Sequence, residues 1–135
     1  MGYNDTIIDE FRANDGQVGG PFAHMPMLLL TTTGARTGQP RTSPLAYLRE
    51  GERLHVFGTK GGADEDPLWY GNLLANPKVT VEVGTERFTA TATPVTGEER
   101  DRIWAAQVAA VPSFGEYPKK TSRVIPVIAL DRDPA

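Results

Sequence analysis

KVTVEVGTERFTATATPVT, residues 78–96, alternates apolar and polar side chains on both sides of Gly84-Thr85. A period of two places successive side chains on opposite faces of a strand, and a two-residue turn containing glycine joins antiparallel neighbours. The stretch therefore predicts an antiparallel hairpin of two long strands.

Upstream, MLLLTTTGA (27–35) is an apolar run that continues into β-branched residues and stops at Gly34, the pattern of a buried strand. GARTGQP (34–40) is the turn after it, and RTSPLAYLRE (41–50) is its partner strand. Pro44 has no N–H to give to a ladder, so it points to an edge or a bulge. A turn at Glu50-Gly51-Glu52 then makes GERLHVFGTK (51–60) a third strand of the same antiparallel set. Between this strand and the hairpin, Asp66 suits an N-cap and Pro67 a first helical position. Leu68, Trp69, Leu73 and Leu74 form an apolar face until Asn76-Pro77 ends a helix of about two turns.

Downstream, GEERDRIWAAQVAAV (97–111) reads as the clearest helix. Ile103, Trp104, Val108 and Val111 share a face, and Glu98, Glu99 and Asp101 suit the amino-terminal end of its dipole. The polar loop PSFGEYPKKTSR (112–123) leads to a last strand, VIPVIAL (124–130). At the amino end, Ile7, Ile8 and Phe11 mark a short helix from Asp5 to Ala13, with Asp5 placed to cap it, and GQVGGPFAHMP (16–26) has too much glycine and proline for either regular period. The order is helix, three strands, helix, two strands, helix, strand. It predicts a mainly β fold with short helices, a six-stranded and mostly antiparallel barrel that leaves no sheet edge exposed.

With 135 residues the chain has room for one domain, 1–135, whose first 20 residues hold the amino-terminal helix and the start of the irregular segment. A net charge of −3 gives no global attraction for nucleic acid. The absence of cysteine removes disulfides, thiol catalysis and thiolate metal sites. His24 and His55 are far apart and lack carboxylates at metal-ligand spacing, so no metal site is expected. The amino terminus has no basic region followed by an apolar run, and no segment reaches the ~20 apolar residues needed to span a bilayer. The simplest location is the cytoplasm.

Three groups of residues could carry chemistry. Arg36 and Arg41 flank the turn after the first strand, and Lys60 opens the turn at KGG; strand ends lie close together on a barrel, so these cations could meet at one rim. Together they would grip phosphate or carboxylate oxygens while glycines admit backbone N–H groups; the alternative is that they are solvated strand ends. Trp69 and Asn72, three residues apart on a short helix, could wall a flat ring and bond its edge, although an indole there also suits a core. Phe114, Tyr117 and Lys119 could form a lid, with the Tyr117 hydroxyl as a proton donor, or could simply pin the loop. No nucleophile–base pair, P-loop or dinucleotide fingerprint is present, so a bound cofactor would carry any redox chemistry.

The segments LLLTTTGARTGQPRTSPLAYL (28–48), GTKGGADEDPLWYGNLLANPKVTVEV (58–83) and EYPKKTSRVIPVIAL (116–130) together resemble the deazaflavin-dependent nitroreductase family of actinobacteria, a branch of the flavin and deazaflavin oxidoreductases with a split β-barrel. The resemblance runs from about Ile8 to Leu130. It implies binding of coenzyme F-420, an 8-hydroxy-5-deazaflavin with a phosphate and a polyglutamate tail; FMN is the alternative ligand. Arg36 and Thr37 match the family's glycine turn and Arg41 the arginine after it, so both arginines would hold the phosphate or tail carboxylates, with Pro44 also on the cofactor side. Thr59, Lys60 and Gly61 match the family's lysine–glycine motif and would lie along the deazaflavin, beside Trp69 and Asn72.

The resemblance further implies hydride transfer from C5 of the reduced deazaflavin to a quinone, nitroaromatic or activated alkene, with the proton from Tyr117, Ser113 or water. Val111, Phe114 and Tyr117 would line the substrate, where members that reduce bulky nitro compounds or menaquinone tend to carry tyrosines. A non-catalytic coenzyme carrier is the competing reading. The partner is a small-molecule acceptor, with peripheral membrane association if it is a quinone, and the chain would act as a monomer or homodimer.

Overall fold

In the computed structural model, which describes residues 3–19 and 26–134, helix α1 (Tyr3–Ala13) precedes strands β1 (Met27–Thr33), β2 (Pro40–Glu50) and β3 (Arg53–Phe57). Helix α2 (Leu68–Ala75) leads into β4 (Lys78–Val83) and β5 (Glu86–Val95). Helix α3 (Gly97–Ala110) and a 3-10 segment (Pro112–Lys119) then separate β5 from β6 (Val127–Arg132). His24 lies outside the described residues, as does most of the irregular stretch around it.

The hairpin read from residues 78–96 forms as β4 and β5. Val83 pairs with Glu86 across Gly84-Thr85, and Gly84 takes φ +57, a conformation that glycine enters without steric cost. Every neighbouring pair of strands is antiparallel, and the ladder closes in the order β1-β2-β3-β6-β5-β4. The expected six-stranded antiparallel barrel is therefore present.

Burial explains why the first half of β1, residues 27–30, is continuously apolar while β4 alternates. Leu28 and Leu30 face the barrel interior with Val56, Val81 and Leu130, whereas Leu29 is covered from outside by Ile8 and Phe11 of α1. All three leucines are fully buried. A strand covered on both faces has no position to spare for a polar side chain. On another outer face, α3 and the 3-10 segment bury Phe57, Ile103, Phe114 and Val127. Pro44 faces Leu29 of β1, while β3 pairs with β2 only from Tyr47 onward, so no second ladder asks for the missing N–H.

Local details differ from the expectations. Helix α2 starts at Leu68, with Pro67 as an extended N-cap residue and no side-chain cap, because the Asp66 carboxylate is engaged by Arg123 instead. Helix α1 begins at Tyr3, ahead of Asp5. Val111 is the C-cap of α3, and Gln107 shares the buried face with Ile103.

Strand direction positions the rest. Neighbours alternate in direction around the ring, so β1, β3 and β5 all end at the same rim. The turn after β1, the connection from β3 through α2 and the connection from β5 through α3 consequently gather there.

Candidate functional site

At that rim a cleft of about 1440 Å³ runs between α1, the turn after β1, the start of β2 and the entry to α2. The turn is tight because Gly34 donates to the Gln39 carbonyl at 2.8 Å and Gly38 donates back to the Gly34 carbonyl at 2.9 Å, with Gly38 at φ +71. A Cβ on Gly34 would stand 2.8 Å from Thr37 Oγ1, so the glycine is required by space. Arg36, Thr37 and Arg41 are exposed and line the cleft.

Their electrostatic situation sets these two arginines apart. Arg12 is clamped by Glu82 at 2.9 and 3.1 Å, Arg53 by Asp131 at 2.8 and 3.0 Å, and Arg102 by Glu50 at 2.8 and 3.1 Å. Arg36 and Arg41 have no hydrogen-bond or ion-pair partner among the described residues. Two guanidinium groups left open on a concave surface are ready to take anionic oxygens. The Asp5 and Asp9 carboxylates lie on the α1 wall, which confines the anion-accepting part of the cleft to the turn.

Trp69 is 7% exposed and packs with Leu73 in the barrel-interior cluster while also lining the cleft, so the core and wall roles of the indole coincide. Asn72 lines the cleft and also has an internal task. Its Oδ1 accepts the Ala35 N–H at 3.0 Å and its Nδ2 donates to Thr32 Oγ1 at 3.3 Å, which ties α2 to the turn.

Thr59 and Lys60 lie outside the lining of this cleft, in the loop that runs into Asp66 at its edge. Lys60 adopts φ +44 within a short 3-10 turn, and its ammonium meets the Glu65 carboxylate at 2.9 Å, which holds that carboxyl below the usual range. Pro44 is likewise outside the lining, one residue beyond Ser43. The acidic residues after KGG thus have internal partners: Glu65 takes Lys60, and Asp66 takes Arg123.

The 3-10 segment also stands apart from the cleft lining. Phe114 is 5% exposed in a ring cluster with Phe57 (5.8 Å), Trp104 (6.1 Å) and Tyr117 (5.3 Å). Tyr117 and Val111 are half-buried, and Ser113 is exposed. Arg123 is the residue that sequence reasoning missed. In KKTSR it looks like one more solvated cation, yet it bonds three backbone carbonyls across the chain. Among the described residues no three His, Cys, Asp or Glu side chains come together to hold a metal ion.

The donor set fits a large anionic ring ligand. The cleft exceeds the ~300–1,000 Å³ of an ordinary small-molecule pocket, as a ligand with a ring, a phosphate and a tail requires. It offers an indole wall at one place and two open guanidinium groups at another.

Known proteins point the same way. The sequence model of the family described as F420H(2)-dependent quinone reductase matches residues 5–132. An F420H(2)-dependent quinone reductase of Mycobacterium tuberculosis is 41% identical over 126 residues, spanning 90% of this chain and 85% of the relative. A solved F420-H2 dependent reductase superposes with a TM-score of 0.73 at 40% identity, over 78% of this chain and 94% of that one. A solved domain-swapped dimer gives 0.75 at 37% identity, over 94% and 93%. A heme storage protein of Vibrio cholerae, at 21% identity and a TM-score of 0.60, shares the fold alone.

Proposed function

We propose that this chain, which belongs to the F420H(2)-dependent quinone reductase family, binds coenzyme F-420 in the rim cleft and reduces a quinone there. Oxidoreductase activity and dependence on this coenzyme follow from the family.

One observation carries the reading. Arg36 and Arg41 are the cations of the cleft that no carboxylate among the described residues neutralises, and they flank a turn whose backbone is fixed by Gly34 and Gly38. They would hold the phosphate and tail carboxylates, Trp69 would wall the ring, and Thr59, Lys60 and Gly61 would continue the contact along the adjacent loop. When bound, the coenzyme supplies a hydride to a two-electron acceptor. The chain orients the two partners and keeps water from the face between them. The proton would come from Tyr117 Oη or Ser113 Oγ of the 3-10 segment, which lies at the same rim outside the cleft lining, or from water.

The 3-10 segment carries Phe114 where a tyrosine would bring a further hydroxyl, and this ring is buried among Phe57, Trp104 and Tyr117, so it offers an acceptor no hydrogen bond. One well-placed donor of that kind is worth roughly 2–4 kcal/mol, so a small quinone or an activated enone is turned over faster than a bulky bicyclic nitroaromatic. A lipid-resident quinone would bring the protein to a membrane surface; no helix among the described residues is long and apolar enough to cross a membrane. Steady-state oxidation of the reduced coenzyme with each acceptor tests the assignment. Faster turnover of bulky nitro compounds than of quinones would overturn it.

A further inference from the structure

Helix α2 forms one wall of the cleft, yet little in its own sequence fixes it. It has eight residues, no side-chain N-cap and no acidic residue in its first turn, and so short a helix does not stand alone in water. Asn72 ties its middle to the turn after β1. Its entry is held by one side chain from 57 residues further along the chain.

Arg123 Nε donates to the Ala63 carbonyl at 2.8 Å, Nη1 to the Gly58 carbonyl at 3.0 Å and to Asp66 Oδ1 at 2.8 Å, and Nη2 to the Thr59 carbonyl at 2.9 Å. Four of the five N–H groups of the guanidinium are thus engaged, and the side chain is only 13% exposed. These contacts bracket Lys60, whose left-handed backbone (φ +44) is unfavourable for a residue with a Cβ and persists only when its surroundings enforce it. Close packing supports the same clasp. A Cβ on Gly62 would lie 3.0 Å from Lys120 Cβ, and one on Gly58 would lie 2.6 Å from Pro126 Cγ.

We propose that Arg123 is a positioning residue that sets the α2 wall of the cleft by clamping residues 58–66, an inference that rests on the cleft being the coenzyme site. It touches neither the cleft nor a reacting atom; it acts through Asp66 and the helix that follows. Because Arg123 lies just after the 3-10 segment, it also couples that segment to the Lys60 loop. A lysine keeps the charge opposite Asp66 but cannot reach three carbonyls and a carboxylate with one nitrogen, so Arg123→Lys isolates the fork geometry.

Amide hydrogen exchange of the ligand-free protein and titration with oxidised coenzyme F-420 test the proposal together. In Arg123→Lys, amides of residues 58–75 should exchange at least about tenfold faster while the β4–β5 hairpin is unchanged. Coenzyme affinity should fall by at least about tenfold, a loss that guanidinium ion should partly reverse in Arg123→Ala. Asp66→Asn, which leaves the three carbonyl contacts intact, should show the same pattern more weakly and serves if the Arg123 variants do not fold. Exchange and affinity within about twofold of the unmodified protein would overturn the proposal, as would uniform acceleration across the barrel, which would make Arg123 a general stabiliser. If the unmodified protein fails to bind the coenzyme, the site assignment fails, and the exchange data still decide whether Arg123 holds α2.

Discussion

Asn72 and Ala35 are joined by a hydrogen bond of 3.0 Å from the backbone N–H of the turn to the side-chain oxygen of the helix. The same carboxamide donates to the buried Thr32, so a single half-buried side chain sets the spacing between the open arginines and the Trp69 wall.

Asn72→Ala should therefore destabilise the fold by about 1–3 kcal/mol, because it leaves the Ala35 N–H and the Thr32 hydroxyl without their partner. Asn72→Asp keeps an acceptor toward Ala35 and should cost less. Urea unfolding midpoints measure both. If the alanine variant is as stable as the unmodified protein, the bond is incidental.

Phe114 sits edge-on to Phe57 and Tyr117 inside the cluster under α3. Phe114→Ala should cost about 3–5 kcal/mol, the range for emptying an aromatic site in a packed core. Phe114→Tyr must place a hydroxyl in that cluster and should lose roughly 1–3 kcal/mol unless the group finds an acceptor. Calorimetry of the two variants would distinguish a packed anchor from an open lid, for which both losses would be negligible.

His55 gives the fold a pH dependence with a definite sign. It is 1% exposed on β3, its Nδ1 has no partner among the described residues, and burial pushes its pKa below the ordinary value. Contact with the Leu48 carbonyl pulls the other way, as do the Glu50 and Glu99 carboxylates, while Arg53 adds to the lowering. The unfolded chain then takes up a proton that the folded chain resists. Stability should be complete above the ordinary histidine value, about 6.5, and fall with pH from there until the folded-state pKa is passed. Denaturation curves across that window should show the slope, and His55→Gln should flatten it. An unchanged slope in the variant would place the effect elsewhere.

Residues 78–96 reveal the hairpin because period two is a local property, and the leucine run of β1 reveals a doubly covered strand for the same reason. Arg36, Thr37, Arg41, Trp69 and Asn72 could be picked from the sequence because each belongs to a compact turn, the strand start beside it, or a short helix. What could not be read was the long-range partner of each polar group. Asp66 has the form of an N-cap, but an arginine 57 residues away competes for its carboxylate. Gln107 interrupts no helical period, yet it is buried, because the apolar face of α3 is defined by the barrel it meets.

The most direct measurement is equilibrium titration of the protein and of its Arg36→Ala/Arg41→Ala variant with oxidised coenzyme F-420, with a coenzyme fragment lacking phosphate and glutamates, and with FMN. Neither arginine has an internal partner among the described residues, so the double variant should fold normally. The unmodified protein should bind the coenzyme at least about tenfold more tightly than FMN, and the double variant should lose about 2–4 kcal/mol toward the whole coenzyme, from roughly 1–2 kcal/mol per charge-assisted contact, but much less toward the fragment. Equal or tighter binding of FMN, or the same loss for fragment and whole coenzyme, would contradict the assignment of this cleft.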